Sequence, residues 1–243
     1  MSARAIERRL RALGDPERAK HSLRFFRTGP GQYGEGDRFL GLTVPVIRSV
    51  ARERKDAPLD TLAALLQSPW HEVRLTALVI LVGQYRRGGD EQREAIYRLY
   101  LESTDRINNW DLVDVSAADI VGAHLRDRDR SILDRLARSA SLWERRIAII
   151  ATAHFIRHGE FGDTLRIAAI LAGDAHDLIH KAVGWMLREV GKRDREREEA
   201  FLRRYASRMP RTMLRYAIER FPERLRRQYL TWPPTKGRPP RRS

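Results

Sequence analysis

His71-Glu72-Val73-Arg74-Leu75-Thr76-Ala77-Leu78-Val79-Ile80-Leu81-Val82-Gly83-Gln84-Tyr85-Arg86 reads as one helix. Leu75, Leu78, Val79 and Val82 recur at three- and four-residue spacing, which puts them on a common face. A similar entry into an apolar helix returns at Glu144-Arg145-Arg146, His180-Lys181 and Leu214-Arg215. Aligning these starts places Arg74, Trp110, Arg146, Lys181 and Arg215 at intervals of 36, 36, 35 and 34 residues. A helix pair repeating at this period signals an α-solenoid, in which each pair buries its apolar side on the next.

The period is shorter than usual for HEAT repeats and close to the tetratricopeptide period. That repeat's Trp-Leu-Gly-Tyr signature is missing, so the reading is an all-α, HEAT-like α-solenoid with a concave basic face. Helical patterning covers 3–13, 16–26, 44–55, 59–66, 71–86, 91–103, 112–125, 131–137, 142–156, 164–171, 178–190, 195–206, 212–221 and 224–230. No segment reads convincingly as a strand. One domain over 1–231 is expected, followed by a basic, Pro-rich, disordered tail over 232–243. Asp15-Pro16-Glu17 is a helix start, with Asp as N-cap and Pro at the first helical position. Gly29 to Gly36 matches G-x-G-x-x-G literally, but a helix precedes it where the dinucleotide fingerprint needs a strand. Contact with phosphate through its backbone amides stays open.

The 243 residues carry 47 Lys and Arg against 32 Asp and Glu, a net charge of +15, and the pI is about 10.9. Such an excess points to polyanions, and arginine suits phosphate because it donates in pairs. The 42% hydrophobic content is enough for a core. No apolar run approaches the ~20 residues of a membrane span, and residues 1–11 lack a signal peptide's apolar stretch. Cysteine is absent, which excludes disulfides, thiolate zinc sites and thiol catalysis. The expected location is the cytoplasm, at the nucleoid.

Function concentrates in Ile107-Asn108-Asn109-Trp110-Asp111-Leu112-Val113-Asp114. Asn108 or Asn109 can cap the following helix, and Asp111 sits where the helix dipole favours an anion. Trp110 and Asp114 are four residues apart, one above the other on a helix face. In the repeat register the column Arg74, Trp110, Arg146, Lys181, Arg215 has a neighbour: Leu78, Asp114, Ile150, Trp185, Glu219. Any single Trp or Arg there would be ordinary core or solvated surface. Together they put four cations, two indoles and one Asp on one face. The cations suit a duplex backbone. Indole faces attract a cation by roughly 0.5 to 2 kcal/mol. A carboxylate stabilises the oxocarbenium-like transition state of glycosidic cleavage, and a base that already carries positive charge needs no general acid to leave.

Four segments then carry a resemblance: Phe39-Leu40-Gly41 with Val44-Pro45-Val46-Ile47-Arg48; Asn109-Trp110-Asp111-Leu112-Val113-Asp114; Leu142-Trp143-Glu144-Arg145-Arg146-Ile147-Ala148; and Lys181-Ala182-Val183-Gly184-Trp185-Met186-Leu187-Arg188-Glu189. They resemble, in order and over most of the chain, the AlkD-like DNA alkylation repair family of HEAT-like repeat DNA glycosylases. The resemblance implies excision of cationic N3- and N7-alkylated purines from duplex DNA, without extruding the base into a pocket. It implies Asp114 as the catalytic carboxylate, Trp110 and Trp185 flanking the lesion, and Arg146 holding the backbone nearby. Lys181, Arg74, Arg215, Arg188 and Phe25 complete the expected DNA-binding set. Phe25 stands where the family often has Tyr, which removes a hydroxyl contact. No cofactor is expected, and the protein is expected to act as a monomer.

Three other readings compete. His154/His158 and His176/His180 have the i, i+4 spacing of metal ligands, but they fall on faces roughly 140° apart and no nearby carboxylate completes either pair, so no metal is expected. A non-catalytic repeat protein binding DNA, RNA or a protein would share the fold and charge. It would gain nothing from Asp114 in a phosphate-facing trough. A membrane-surface protein needs a basic face paired with exposed bulky apolar residues, and no helix shows that clearly.

Overall fold

The computed structural model describes residues 2–231; the tail expectation over 232–243 lies outside them. The chain is all-α, 69% helical, with no strand among the described residues. It divides into two compact units, Met1–His124 and Leu125–Ser243.

The first unit holds α1 (Ala3–Ala12), α2 (Pro16–Phe25), α3 (Val44–Glu53), α4 (Leu59–Leu66), α5 (His71–Arg87), α6 (Asp90–Glu102) and α7 (Trp110–Ala117). Asp15 caps α2 by accepting the Glu17 and Arg18 amides, with Pro16 in the first turn. α5 is the centre. It packs against α3, α4, α6 and α7, and it is buried on nearly every side. Glu72, in its first turn, accepts the amides of Leu40, Gly41 and Leu42 at 2.8–3.2 Å. That carboxylate ties the Phe39-Leu40-Gly41 stretch to the core. The turn needs glycine at 41, where φ is +77°.

The second unit holds α8 (Ile132–Ala137), α9 (Leu142–Ala151), α10 (Ala153–Arg157), α11 (Gly162–Leu171), α12 (Asp177–Gly191), α13 (Arg195–Tyr205), α14 (Arg211–Ala217) and α15 (Glu223–Thr231). α12 is its centre, packed on α9, α11, α13 and α14. One helix expected to run on does not. The 142–156 helix breaks at Thr152, whose Oγ1 and amide both turn back to the Ile149 carbonyl. The helix carrying Trp110 and Asp114 does run on as expected, to residue 124, but it starts at Trp110 rather than 112 and passes through a π-turn at Ala118–Gly122.

A recurring hydrogen bond corrects the repeat register. Arg74 donates to the carbonyl of Ser68, Arg145 to that of Ser139, and His180 to that of Asp174, each six residues back. These side chains close the loop before α5, α9 and α12. Arg74 is therefore equivalent to Arg145 and His180, not to Arg146 and Lys181. With the first rung moved by one residue, Leu75, Trp110, Arg146 and Lys181 take equivalent positions in their own helices, as do Val79, Asp114, Ile150 and Trp185.

Candidate functional site

Asn109 caps α7. It is fully buried, its Oδ1 accepts the Trp110 amide at 2.9 Å, and its Nδ2 donates to Asp37. This anchor sets where Trp110 stands. The Trp110 indole lies 5.5 Å from the Phe26 ring, nearly parallel to it, and Phe25 meets it edge-on at 6.0 Å. Phe26 also stacks on Phe39 at 4.9 Å and tilts over His71 at 4.9 Å. Phe25 is 57% exposed, the most open of the large apolar side chains described. The result is an aromatic shelf, buried at Phe39 and reaching solvent at Phe25.

Asp111 and Asp114 lie on the same helix but have separate surroundings. Asp111 Oδ2 is 2.8 Å from His71 Nε2, and its Oδ1 accepts the Leu112 amide. Asp114 lines a cleft of about 600 Å³ between α3, α5 and α7. Five cations line the same cleft: Arg48, Arg52, Lys55, Arg86 and Arg87. Arg86 pairs with Asp119 and Arg87 with Asp56, each at 3.0 Å; Arg48 and Arg52 are exposed. Behind the cleft, Tyr100 is fully buried and hydrogen-bonded to Ser116. Burial pushes its phenol pKa up, opposed by Ser116 and reinforced by the charge of Asp114.

The remaining expected residues are placed unequally. Arg74 is buried, and its guanidinium is taken by Asp37 at 2.6 Å, Asn108 at 3.0 Å and the Ser68 carbonyl. It is a loop-closing side chain, buried away from the phosphate contact expected of it; the repeat register is one residue off at this rung. In the second unit Arg146 is also mostly buried, with Nη1 donating to the Leu178 carbonyl at 2.6 Å. Lys181 pairs with Asp177 at 2.7 Å, Arg188 pairs with Glu219, Trp185 is half-buried and Arg215 is exposed. The hydrogen bond from Lys181 is the main cause that pulls the Asp177 pKa down.

Other motifs resolve simply. The Gly29 amide donates to Gln32 Oε1 and the Gly31 amide to Glu35 Oε2, so the loop spends these donors on itself. His158 donates to the His154 carbonyl, and His176 Nδ1 accepts the Leu178 amide. No group of three His, Asp or Glu side chains with metal-binding geometry occurs among the described residues. No helix among them is long and apolar enough to cross a membrane.

A model of DNA alkylation repair enzymes matches residues 6–221, nearly the whole described chain. The chain belongs to the DNA alkylation repair enzyme family. It is therefore placed among enzymes of DNA repair, with DNA as the substrate polymer. A solved structure described as a predicted DNA alkylation repair enzyme from Enterococcus faecalis is similar, with a TM-score of 0.68 and 16% identity over 86% of this chain and 97% of that one. The structure of smu.31 from Streptococcus mutans UA159 is similar at a TM-score of 0.50 and 16% identity, over 88% of this chain and 95% of that one. At such identity these likenesses speak for the fold, an all-α helical repeat. No curated protein matches at a significant level.

Within this family frame, the cleft cations are what the sequence did not reveal. Arg48 was visible only as part of a motif, and Arg52, Lys55, Arg86 and Arg87 gave no signal. They come from α5 and from α3 with the turn that follows it, which meet only in the fold.

Proposed function

We propose that this enzyme hydrolyses the N-glycosidic bond of cationic N3- or N7-alkylated purines in duplex DNA, with the base left at the helix rather than drawn into a pocket. One observation carries the reading: Asp114 lines a cleft ringed by Arg48, Arg52, Lys55, Arg86 and Arg87, one helical turn from Trp110. The cations suit backbone phosphates, and their potential concentrates DNA there. An alkylated purine already bears positive charge. When its bond to C1′ breaks, the electron pair goes to the base, which leaves neutral. The sugar is left as an oxocarbenium ion, and Asp114 is the anion that stabilises it. Water adds to C1′ and gives up a proton. The half-buried Trp110 and exposed Phe25 offer flat π surfaces to the cationic nucleotide, where indole is the better partner. In this reading Trp185 supplies a further indole for the lesion nucleotide. Lys181, Arg188 and Arg215 contact phosphate, and Arg146 holds α12 through Leu178. The two units serve as a single DNA-binding domain over 1–231 in a protein acting as a monomer.

The test is single-turnover release of 7-methylguanine from a defined duplex by wild type and Asp114→Asn. Release by wild type alone supports the reading. Equal release by both removes Asp114 from the chemistry. Tight duplex binding without release by either points to a non-catalytic binder.

A further inference from the structure

His71 opens α5 and is buried, at 1% exposure. Its two ring nitrogens both face carboxylates: Nδ1 lies 3.2 Å from Asp37 and Nε2 2.8 Å from Asp111. A neutral imidazole has one N–H, so its other nitrogen would aim a lone pair at a carboxylate oxygen. The geometry therefore calls for both protons. The other groups around it agree. Asp37, from the loop before α3, is also held by Arg74 of α5 and by Asn109 next to α7. Asp111 comes from α7 itself. Phe39 and Phe26 cover the ring at 4.7 and 4.9 Å. Two cations, His71 and Arg74, then balance two carboxylates in a buried cluster, whereas a neutral His71 would leave an uncompensated charge, which burial makes costly.

The cluster reaches Trp110 by two routes. Asp111 is its chain neighbour in the first turn of α7, and Phe26 lies against both the His71 and Trp110 rings. We propose that His71, clamped between Asp37 and Asp111, is a positioning residue that acts through its charge to fix Trp110 and the start of the helix carrying Asp114. This rests on the glycosylase reading only for its effect on activity. Burial works against the imidazolium, but the charge and hydrogen bond of Asp111, followed by those of Asp37, raise the His71 pKa to about 9. The clamp is closed at neutral pH and opens on the alkaline side.

Ring nitrogen resonances of His71 and the indole N–H resonance of Trp110, assigned by its loss in Trp110→Phe, are followed by NMR in the full chain from about pH 6 to about pH 10. Both His71 nitrogens should be protonated at neutral pH. The Trp110 resonance should move with the His71 midpoint, about 9. In Asp111→Asn the shared midpoint should fall by about 1 to 3 pH units, the effect of losing one adjacent opposite charge. Single-turnover excision by that variant should then fail over the same lower pH range and recover on acidification. A purely structural contact would lower thermal stability without moving this profile. A His71 ring neutral at pH 7 overturns the proposal, as does a Trp110 resonance that ignores the His71 titration. If Asp111→Asn does not fold, the wild-type titration still decides. If wild type excises nothing at any pH, the activity reading falls and the titration judges the clamp separately.

Discussion

Asp111 and Asp114 sit three residues apart on one helix and keep different company. Asp111 is committed to His71 and the Leu112 amide, whereas Asp114 faces a cationic cleft. The chemistry proposed for Asp114 asks for an anion in the transition state, so Asp114→Asn should lower single-turnover excision by about 10²-fold or more while duplex affinity holds. Rapid-quench rates beside equilibrium binding separate the two effects. Arg48→Ala and Arg52→Ala should each weaken duplex binding and reduce the slope of log K against log salt by about one; Arg74→Ala, by contrast, should lower stability by a few kcal/mol, about 3 to 5, because it leaves the two carboxylates of the buried cluster, Asp37 and Asp111, with a single cation. Fluorescence titrations at several salt concentrations check the first, and chemical denaturation the second. Trp110 and Asp114 were legible in the sequence because a four-residue spacing after a capping Asn has one geometric meaning. The role of Arg74 was not, since a buried, loop-closing arginine and a solvated one look alike until their partners are known.

Helix boundaries were mostly legible, because caps and apolar periods act locally. The break at Thr152 and the π-turn at Ala118–Gly122 were not, because apolar patterning continues through both. The Lys-Ala-x-Gly-Trp segment gains a physical reason from α12 and α14. A Cβ at Gly184 would lie 2.5 Å from the Met213 carbonyl and from the Tyr216 Cβ, so glycine there permits the close approach of the two helices. Gly184→Ala should destabilise the protein by about 1 to 3 kcal/mol through overpacking. The denaturation midpoint reads this directly, and a midpoint at or above wild type would mean that the helices separate at no cost.

Across the whole molecule, two buried groups give stability a shared dependence on pH. The folded-state pKa of His71, about 9, lies above its ordinary value of 6.5. Its contribution is fully present below about 6.5 and is lost as pH rises through about 9. Glu198 is buried in α13, and burial is the main cause that raises its pKa from 4.5 to about 8. The unfolded chain releases that proton first, so stability falls as pH climbs from 4.5 towards 8. Thermal unfolding should therefore show a falling Tm from about pH 6 to about pH 9.5. Glu198→Gln should relieve part of that fall, by about 1 to 3 kcal/mol at pH 8, with little effect at pH 4. A Tm that rises through this range would contradict both assignments.

By itself the sequence determined the helices, their repeat at about 35 residues, the excess positive charge and the Trp110–Asp114 pair. Each of these follows from local periodicity, capping or simple counting. Only tertiary structure decided which cations stand beside Asp114, that Arg74 closes a loop, and that His71 bridges two carboxylates 34 residues before it and 40 after. Those facts depend on burial and on partners brought together from distant parts of the chain, and the repeat period carries no record of either.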